Sequence, residues 1–450
     1  MANNTGKAKK ILLLGAGLVA KPLTRYLLEE PDYHLTVATR TLEKAYELIG
    51  ENPKGRAIPL DVTSEPEKLS EAVAEHDIVI SLVPPAHHVL AAKECVKHGK
   101  PLVTTSYVSP QMRELDKEAK EKGVLLLNEI GLDPGIDHMS AMRIIDEVKN
   151  GGGKVVSFRS YCGGLPAPEA NTNPFGYKFS WSPRGVVLAA RNSAKYLEDG
   201  KIVEIPGEEL FDHYHILKLE ELEAPFEAYP NRDSTIYIEL YGLKDVRTMY
   251  RGTLRNLGHC ITWKKLVELG YLNIEVMKDV KGMSYRELTA RLAGLPNDSG
   301  LEKALVEKYK LPSEPDILGK WMWLGLLDGK KQLPQDEGSP LDFLVAIFLE
   351  KLQYEPGERD MVVLHHEFLA EYPTKKERIT STLVDFGIPH GDTSMSRTVG
   401  FPAAVATKLI LEGKIKSTGV QIPVLPEIYN PVLDELETLG IKCVERKTSA

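Results

Sequence analysis

The sequence predicts an α/β fold: a doubly wound parallel sheet first, then an α+β region with an inserted all-helical stretch. Three observations carry this. Between Lys10 and Asn128, six short apolar runs alternate with five amphipathic ones. A glycine-rich turn stands directly after the first apolar run. Beyond Asn128 the pattern changes to β-type alternation and then to helix signals.

Taken in order, ILLL, HLTVA, RAIPLDV, DIVISLV, PLVTT and VLLLN have the length and composition of buried strands. Between them, VAKPLTRYLLEE, TLEKAYELIG, EKLSEAVAEH, HHVLAAKECVKHG and SPQMRELDKEAKEKG carry apolar residues at helical spacing. Strands joined through helices run parallel. Next comes the Gly/Pro-punctuated turn GLDPGIDH, a helix over about 139–148, and the break GGGK. Residues 155–255 alternate in KIVEI, HYHILKLEEL and TIYIELYG, which predicts a mainly antiparallel sheet with one helical piece at GVVLAARN. From about 259 to 352 helices dominate. Ser284 with Glu287 and Ser299 with Glu302 read as capping boxes, and Pro340 after Ser339 marks a third start. MVVLHHEF and ERITSTLVDFG return to strand, and a final helix covers about 397–411. The expected domains are 1–133 with about 392–450, 134–257 with about 358–391, and a helical domain over 258–357.

At 450 residues the chain is long enough for two or three domains. With 42% hydrophobic and 27% charged residues it is neither disordered nor fibrous. The net charge of −8, with no long block of Lys and Arg, speaks against nucleic acid or an anionic membrane as partner. Cys95, Cys162, Cys260 and Cys443 are far apart, without the spacing of a zinc site or a secreted disulfide framework. The basic opening MANNTGKAKK precedes only a short apolar run, too short for a signal core, and no run reaches the roughly 18 residues of a membrane span. A soluble, cytoplasmic protein is expected.

Gly15-Ala16-Gly17-Leu18-Val19-Ala20 follows a strand and opens a helix, the context of a Rossmann dinucleotide site. Gly15 permits the turn, Gly17 lets the backbone approach a pyrophosphate, and Ala20 lets the helix pack closely. The second strand ends Ala38-Thr39-Arg40, without the carboxylate that would bind an adenosine ribose. A guanidinium there suits a 2′-phosphate, so NADP is expected over NAD. Asp61 and Val62, ending the third strand, are read as adenine neighbours, with helix N-capping an equal reading for Asp61. Ser81, Leu82 and Val83 end the fourth strand, also on the carboxyl edge where such sheets bind ligands. His87-His88, His213-x-His215 and His365-His366 lack a third ligand, so no metal is expected.

Thr104-Thr105-Ser106-Tyr107 and Glu129 to His138 follow the fifth and sixth strands. With YCGGLP at Tyr161, KFSWSP at Lys178, YRGTLRN at Tyr250 and TVGFPAA at Thr398, they resemble the saccharopine dehydrogenase family along essentially the whole chain. Within it the sequence is most similar to the fungal, NADP-dependent, L-glutamate-forming branch. The resemblance implies a Rossmann domain completed by the C-terminal segment, an α+β substrate and dimerisation domain, an inserted helical domain, and a homodimer. It also implies a reaction: L-glutamate and aminoadipate semialdehyde condense to an imine, which NADPH reduces to saccharopine, a step of lysine biosynthesis.

Saccharopine carries three carboxylates, so Arg232 and Arg255 are the candidate clamps, with Thr253 and Asn256 adding neutral hydrogen bonds and Ser106 and Tyr107 also facing substrate. Asp133 is the first candidate for acid/base work, in an apolar loop that could raise its pKa, with helix capping as its alternative. Tyr107 and Cys162 are further candidates, with packing the favoured reading of each. Thr104, Thr105, Ile130, Gly131, Leu132 and Trp181 are expected near the nicotinamide; for Trp181, as for Phe179, core packing explains the residue as well, and His138 is read as structural. A related imine reductase of the carboxynorspermidine dehydrogenase type, a non-catalytic NADP sensor, and the saccharopine-oxidising half of a bifunctional protein are the competing readings.

Overall fold

The computed structural model describes residues 8–450, which form two compact units. The first comprises the chain up to Val155 together with Ala370–Ala450; the second is Val156–Leu369. The basic opening lies largely in residues 1–7, outside those described.

In the first unit the expected alternation is present: β1 (Lys9–Leu14), α1 (Ala20–Glu29), β2 (Tyr33–Thr39), α2 (Leu42–Ile49), β3 (Gly55–Pro59), α3 (Pro66–Glu75), β4 (Ile78–Ser81), α4 (His88–His98), β5 (Leu102–Thr104), a helix broken into Pro110–Arg113 and Asp116–Glu121, and β6 (Leu125–Leu127). The strands lie in the order β3-β2-β1-β4-β5-β6, all parallel, and Ile11 to Leu14 are fully buried because helices cover both faces. The order reverses between β1 and β4, which opens a crevice at their carboxyl ends. A seventh strand, Gly419–Gln421, adds to β6; three residues are too few to show a period in sequence.

The helix after GLDPG runs Ile136–Asn150, longer at both ends than expected. The helix expected from 397 starts at Ser394, where the Thr393 hydroxyl accepts from Ser396 N–H, and it ends at Leu411. It packs on α1 through Gly400, where a Cβ would stand 2.8 Å from the Val19 carbonyl oxygen. It is not the last helix. Pro426–Thr438 follows, and then the strand Val444–Ser449 pairs antiparallel with Lys376–Phe386.

The second unit is built on the strands His215–Leu217, Phe226–Pro230, Thr248–Asn256, Lys154–Pro166 and Asp360–Glu371 in that spatial order, with a hairpin of Ala194–Glu198 and Lys201–Ile205 at its side. The expectation of a mainly antiparallel sheet needs correction at its centre. Thr248–Asn256 pairs parallel with Lys154–Pro166, because the long connection between them acts as a crossover. TIYIELYG is likewise not a strand: Ile236–Leu240 is a short helix. The Asp233 carboxylate accepts from Thr235 N–H at 2.8 Å, a local turn that winds the chain before its alternation can extend.

Five helices follow: His259–Leu269, Tyr285–Leu292, Leu301–Tyr309, Ile317–Leu324 and Pro340–Lys351. The Ser284 and Glu287 box forms, and Ser339 makes one with Asp342. The Ser299 and Glu302 box does not. Gly300 caps that helix in the left-handed region, and Glu302 is drawn instead to the Arg286 guanidinium at 2.6 and 3.0 Å, a two-point ion pair stronger than a cap. Trp321, Phe343 and Phe348 centre the apolar core of this unit, which also takes in Phe179. Among the described residues, no helix is long and apolar enough to cross a membrane.

Candidate functional site

The turn between β1 and α1 is made by backbone. Gly15 has φ +100°, donates its N–H to the Ala38 carbonyl at 2.9 Å, and would bring a Cβ within 2.9 Å of the Leu82 carbonyl oxygen. A side chain is therefore excluded twice over, by conformation and by contact. Gly17 is the opposite case: no heavy atom lies within 4 Å of where its Cβ would stand. Its backbone thus faces open space at the start of α1. Ala16 and Val19 are half-buried and Leu18 is exposed; Val19 offers α1 no side-chain cap and no acid stands in the first turn, so the helix N–H groups and positive dipole end are uncompensated. Such an end accepts a phosphate, and the open cradle at Gly17 fits a dinucleotide's pyrophosphate.

At the end of β2, Ala38 is buried, Thr39 half-buried and Arg40 exposed. Asp61, after β3, is not an N-cap, because α3 begins at Pro66 behind Glu65. Its carboxylate instead accepts from the Thr63 hydroxyl at 2.6 Å and the Thr63 N–H at 2.9 Å. Those bonds, with the Arg40 charge adding to them, hold the Asp61 carboxyl below its ordinary pKa. Val62 packs on the sheet core.

At the ends of β4 and β5, Ser81 and Thr104 are fully buried, while Leu82, Val83, Thr105, Ser106 and Tyr107 are half-buried. Gly131, after β6, packs on Thr105, whose Cβ would stand 3.2 Å from an added side chain. Ile130 and Leu132 have their side chains in the core, leaving backbone as their exposed chemistry. His88, weighed from sequence only as half of a metal pair, is bonded to both Ser81 and Ser106 and was missed.

Two candidate catalytic groups meet here. The Tyr107 hydroxyl donates to Asp133 Oδ1 at 2.9 Å, and Asp133 is half-buried. A buried polar chain braces both loops: Val108 N–H donates to Glu129 Oε1 at 3.0 Å, Glu129 Oε2 lies 2.9 Å from His138 Nε2, and Asp137 Oδ1 accepts from Gly135 N–H at 2.5 Å. Glu129 is held at φ +57° and Gly135 at +150°, where a Cβ would overlap the Gly131 backbone. Non-glycine residues in this region cost about 1–3 kcal/mol and persist where the surroundings enforce them. Sequence reading took His138 as structural and did not single out Glu129; the motif run containing both was the available signal.

In the second unit, Arg255 is 7% exposed. Its guanidinium lies 5.0 Å from the centre of the Tyr177 ring and donates to the Leu254 carbonyl at 2.8 Å; Nε has no partner, and among the described residues no carboxylate pairs with it. A buried guanidinium without a counter-charge costs several kcal/mol, which an anionic ligand would offset. Tyr229 and Cys162 lie close enough to act on its charge. His259, stacked on Tyr229, is pushed well below its ordinary pKa by burial and by Arg255, so it adds no competing positive charge. Thr253 pairs in register with Cys162, and strand alternation puts it on the face of Arg255. The Asn256 amide donates to the Gly176 carbonyl at 2.8 Å. Arg232 is exposed, at φ +54°, on the loop after Phe226–Pro230. Trp181 is half-buried against the same core as Phe179. Tyr177 and Tyr229, distant in sequence from YRGTLRN, were not foreseen.

By its strand order and glycine turn, the first unit is a Rossmann fold of the dinucleotide-binding class, joined in one chain to a mixed α+β unit with a buried anion-seeking arginine. Residues 11–127 match the saccharopine dehydrogenase NADP binding domain, and residues 131–441 match the saccharopine dehydrogenase C-terminal domain. The chain is 45% identical to saccharopine dehydrogenase [NADP(+), L-glutamate-forming] of Schizosaccharomyces pombe over 97% of its own length and 98% of that protein. Against the enzyme of the same name from Saccharomyces cerevisiae it is 44% identical, covering 95% and 97%. The solved apo saccharopine dehydrogenase (L-Glu forming) of Saccharomyces cerevisiae superposes with a TM-score of 0.88 at 42% identity, covering 98% of this chain and 100% of that one. The chain belongs to the saccharopine dehydrogenase family.

Proposed function

We propose that this chain is an NADP-dependent oxidoreductase that condenses L-glutamate with aminoadipate semialdehyde and reduces the product to saccharopine, reversibly, in lysine biosynthesis. The observation that carries the substrate class is Arg255, a buried guanidinium with no carboxylate partner among the described residues, in a chain whose relatives at 44–45% identity are named for this substrate.

The glycine turn and the start of α1 take the cofactor's pyrophosphate, and Arg40 takes the 2′-phosphate. Bound NADPH supplies the hydride for the imine carbon. Arg255, with Thr253 and Asn256, orients a substrate carboxylate, and Arg232 contributes a second positive charge from its exposed loop. Condensation joins the glutamate nitrogen to the aldehyde carbon with loss of water, so protons must move among carbinolamine oxygen, nitrogen and solvent. Asp133 moves them, and Tyr107, donating to it, keeps its carboxylate oriented. Cys162 serves as a further polar wall on the Arg255 face. Ser106 hydrogen-bonds the substrate at the end of β5. Functionally the chain divides into a Rossmann part, 1–133 with about 392–450, an α+β part that binds substrate and pairs two copies into a homodimer, and a helical part over 258–357. The working compartment is the cytoplasm.

The test is turnover. Purified protein should oxidise NADPH on mixing L-glutamate with aminoadipate semialdehyde, with saccharopine identified by mass spectrometry. NADH should be a poor substitute. Turnover with a diamine in place of glutamate, and none with glutamate, would replace this reading by the related imine reductase.

A further inference from the structure

Three hydroxyls surround the His88 ring at the carboxyl ends of β4 and β5. Nδ1 lies 2.8 Å from Ser81 Oγ and Nε2 lies 2.9 Å from Ser106 Oγ. Thr104 Oγ1 is more distant, at 3.4 and 3.3 Å from the two nitrogens. His88 is 4% exposed and Ser81 and Thr104 are fully buried, whereas Ser106 is half-buried. Of the three hydroxyl residues, Ser106 alone is not fully buried.

Burial pushes the His88 pKa down to about 4, so the ring is neutral at working pH. A neutral imidazole has one N–H: one nitrogen donates and the other accepts. The states of the two serines are therefore coupled through the ring. If Nδ1 accepts the Ser81 proton, Nε2–H donates to Ser106 Oγ, and the Ser106 proton is left to point outward. In the other tautomer Nε2 accepts a hydrogen bond from the Ser106 hydroxyl, and Ser106 presents lone pairs.

The buried end selects between them. His88 is the hydrogen-bond partner of the Ser81 hydroxyl among the described residues, and Ser81 is fully buried. Were Nδ1 to carry the proton, the Ser81 O–H would be a buried donor without an acceptor, which costs about 1–3 kcal/mol. The favoured arrangement makes Ser81 the donor to Nδ1 and turns the Ser106 proton outward. The substrate's three carboxylates offer acceptors, so a donor is the useful state.

We propose that His88 is a positioning residue that, through its tautomer, fixes Ser106 as a hydrogen-bond donor to a substrate carboxylate. This rests on the reading of Ser106 as a substrate contact. Two measurements test it separately. In protein labelled with 15N-histidine, the signals that disappear in His88→Gln should show a single tautomer protonated at Nε2; a ring protonated at Nδ1, or an even mixture, overturns the proposal whatever the protein's activity. In steady-state kinetics, His88→Ala should raise KM for saccharopine about tenfold, the worth of one hydrogen bond, with KM for NADP unchanged. In a Ser106→Ala background the same change should have no effect, because His88 acts through Ser106. Additive losses, or an equal rise in both KM values, overturn it. Absence of saccharopine-dependent turnover in the unsubstituted protein would sink the proposed function and leave the tautomer result to stand by itself.

Discussion

The two proposed binding regions of this chain are made of different material. In the first unit the proposed ligand face is backbone: Gly15, Gly17 and the open end of α1 offer N–H groups and absent side chains. In the second it is a side chain, Arg255, held against Tyr177 and near Tyr229 and Cys162. A backbone site is fixed by local conformation and tolerates no added atoms. A side-chain site is fixed by tertiary packing and tolerates no lost charge. Substitutions should separate the two accordingly.

The largest effect belongs to Asp133, the proposed proton-moving group. Asp133→Ala should lower kcat by about 10²–10⁴-fold, the usual range for acid/base groups, while leaving NADPH affinity in calorimetry unchanged. A flat response of kcat would move proton transfer to another group.

Arg255→Gln should leave a substrate carboxylate facing a neutral pocket. Loss of one partner of a buried ion pair costs about 3–5 kcal/mol, so kcat/KM for saccharopine should fall by at least about 10²-fold with NADPH binding intact. If both ligands weaken together, the division between regions is wrong.

His88 distinguishes them by pH. Its folded pKa is about 4 against about 6.5 unfolded, so the neutral ring's stabilising share is complete above pH 6.5 and is lost as pH falls toward 4. The loss amounts to about 3 kcal/mol, read as the difference between unsubstituted protein and His88→Gln in chemical denaturation across that window. Parallel curves for the two proteins would contradict it.

Gly17→Val is the backbone counterpart of the Arg255 change. Its side chain enters open space, so thermal stability should hold, yet NADPH affinity should drop about 10-fold or more, the cost of about 1–3 kcal/mol for crowding a close contact. Unaltered affinity would remove the pyrophosphate from this turn. Smallest is Arg40→Ala: the guanidinium is exposed, so KM for NADPH should rise about tenfold with KM for NADH hardly moved.

What was legible in the sequence follows the same division. The glycine turn, the six strands and the helix between each pair are contiguous patterns, and each was found where the spacing put it. Elements fixed by competition were not. The Ser299 box lost to the Arg286 ion pair, TIYIELYG lost its alternation to the Asp233 turn, and the centre of the second sheet turned parallel because a distant crossover set its direction. At the site, Arg255 stood out through its motif, whereas Tyr177 and Tyr229 reach it only through the fold. His88 was hidden for another reason: a pair of adjacent histidines suggests a metal, and nothing local reveals two serine partners seven residues before and eighteen after.

The most direct test of the account is isotopic. The protein is given NADPH deuterated on the transferring face of the nicotinamide, together with L-glutamate and aminoadipate semialdehyde, and the saccharopine is weighed. The account requires one deuterium in the product, on the carbon that came from the aldehyde. Saccharopine formed without deuterium from either face of the cofactor, or no saccharopine at all, would contradict it.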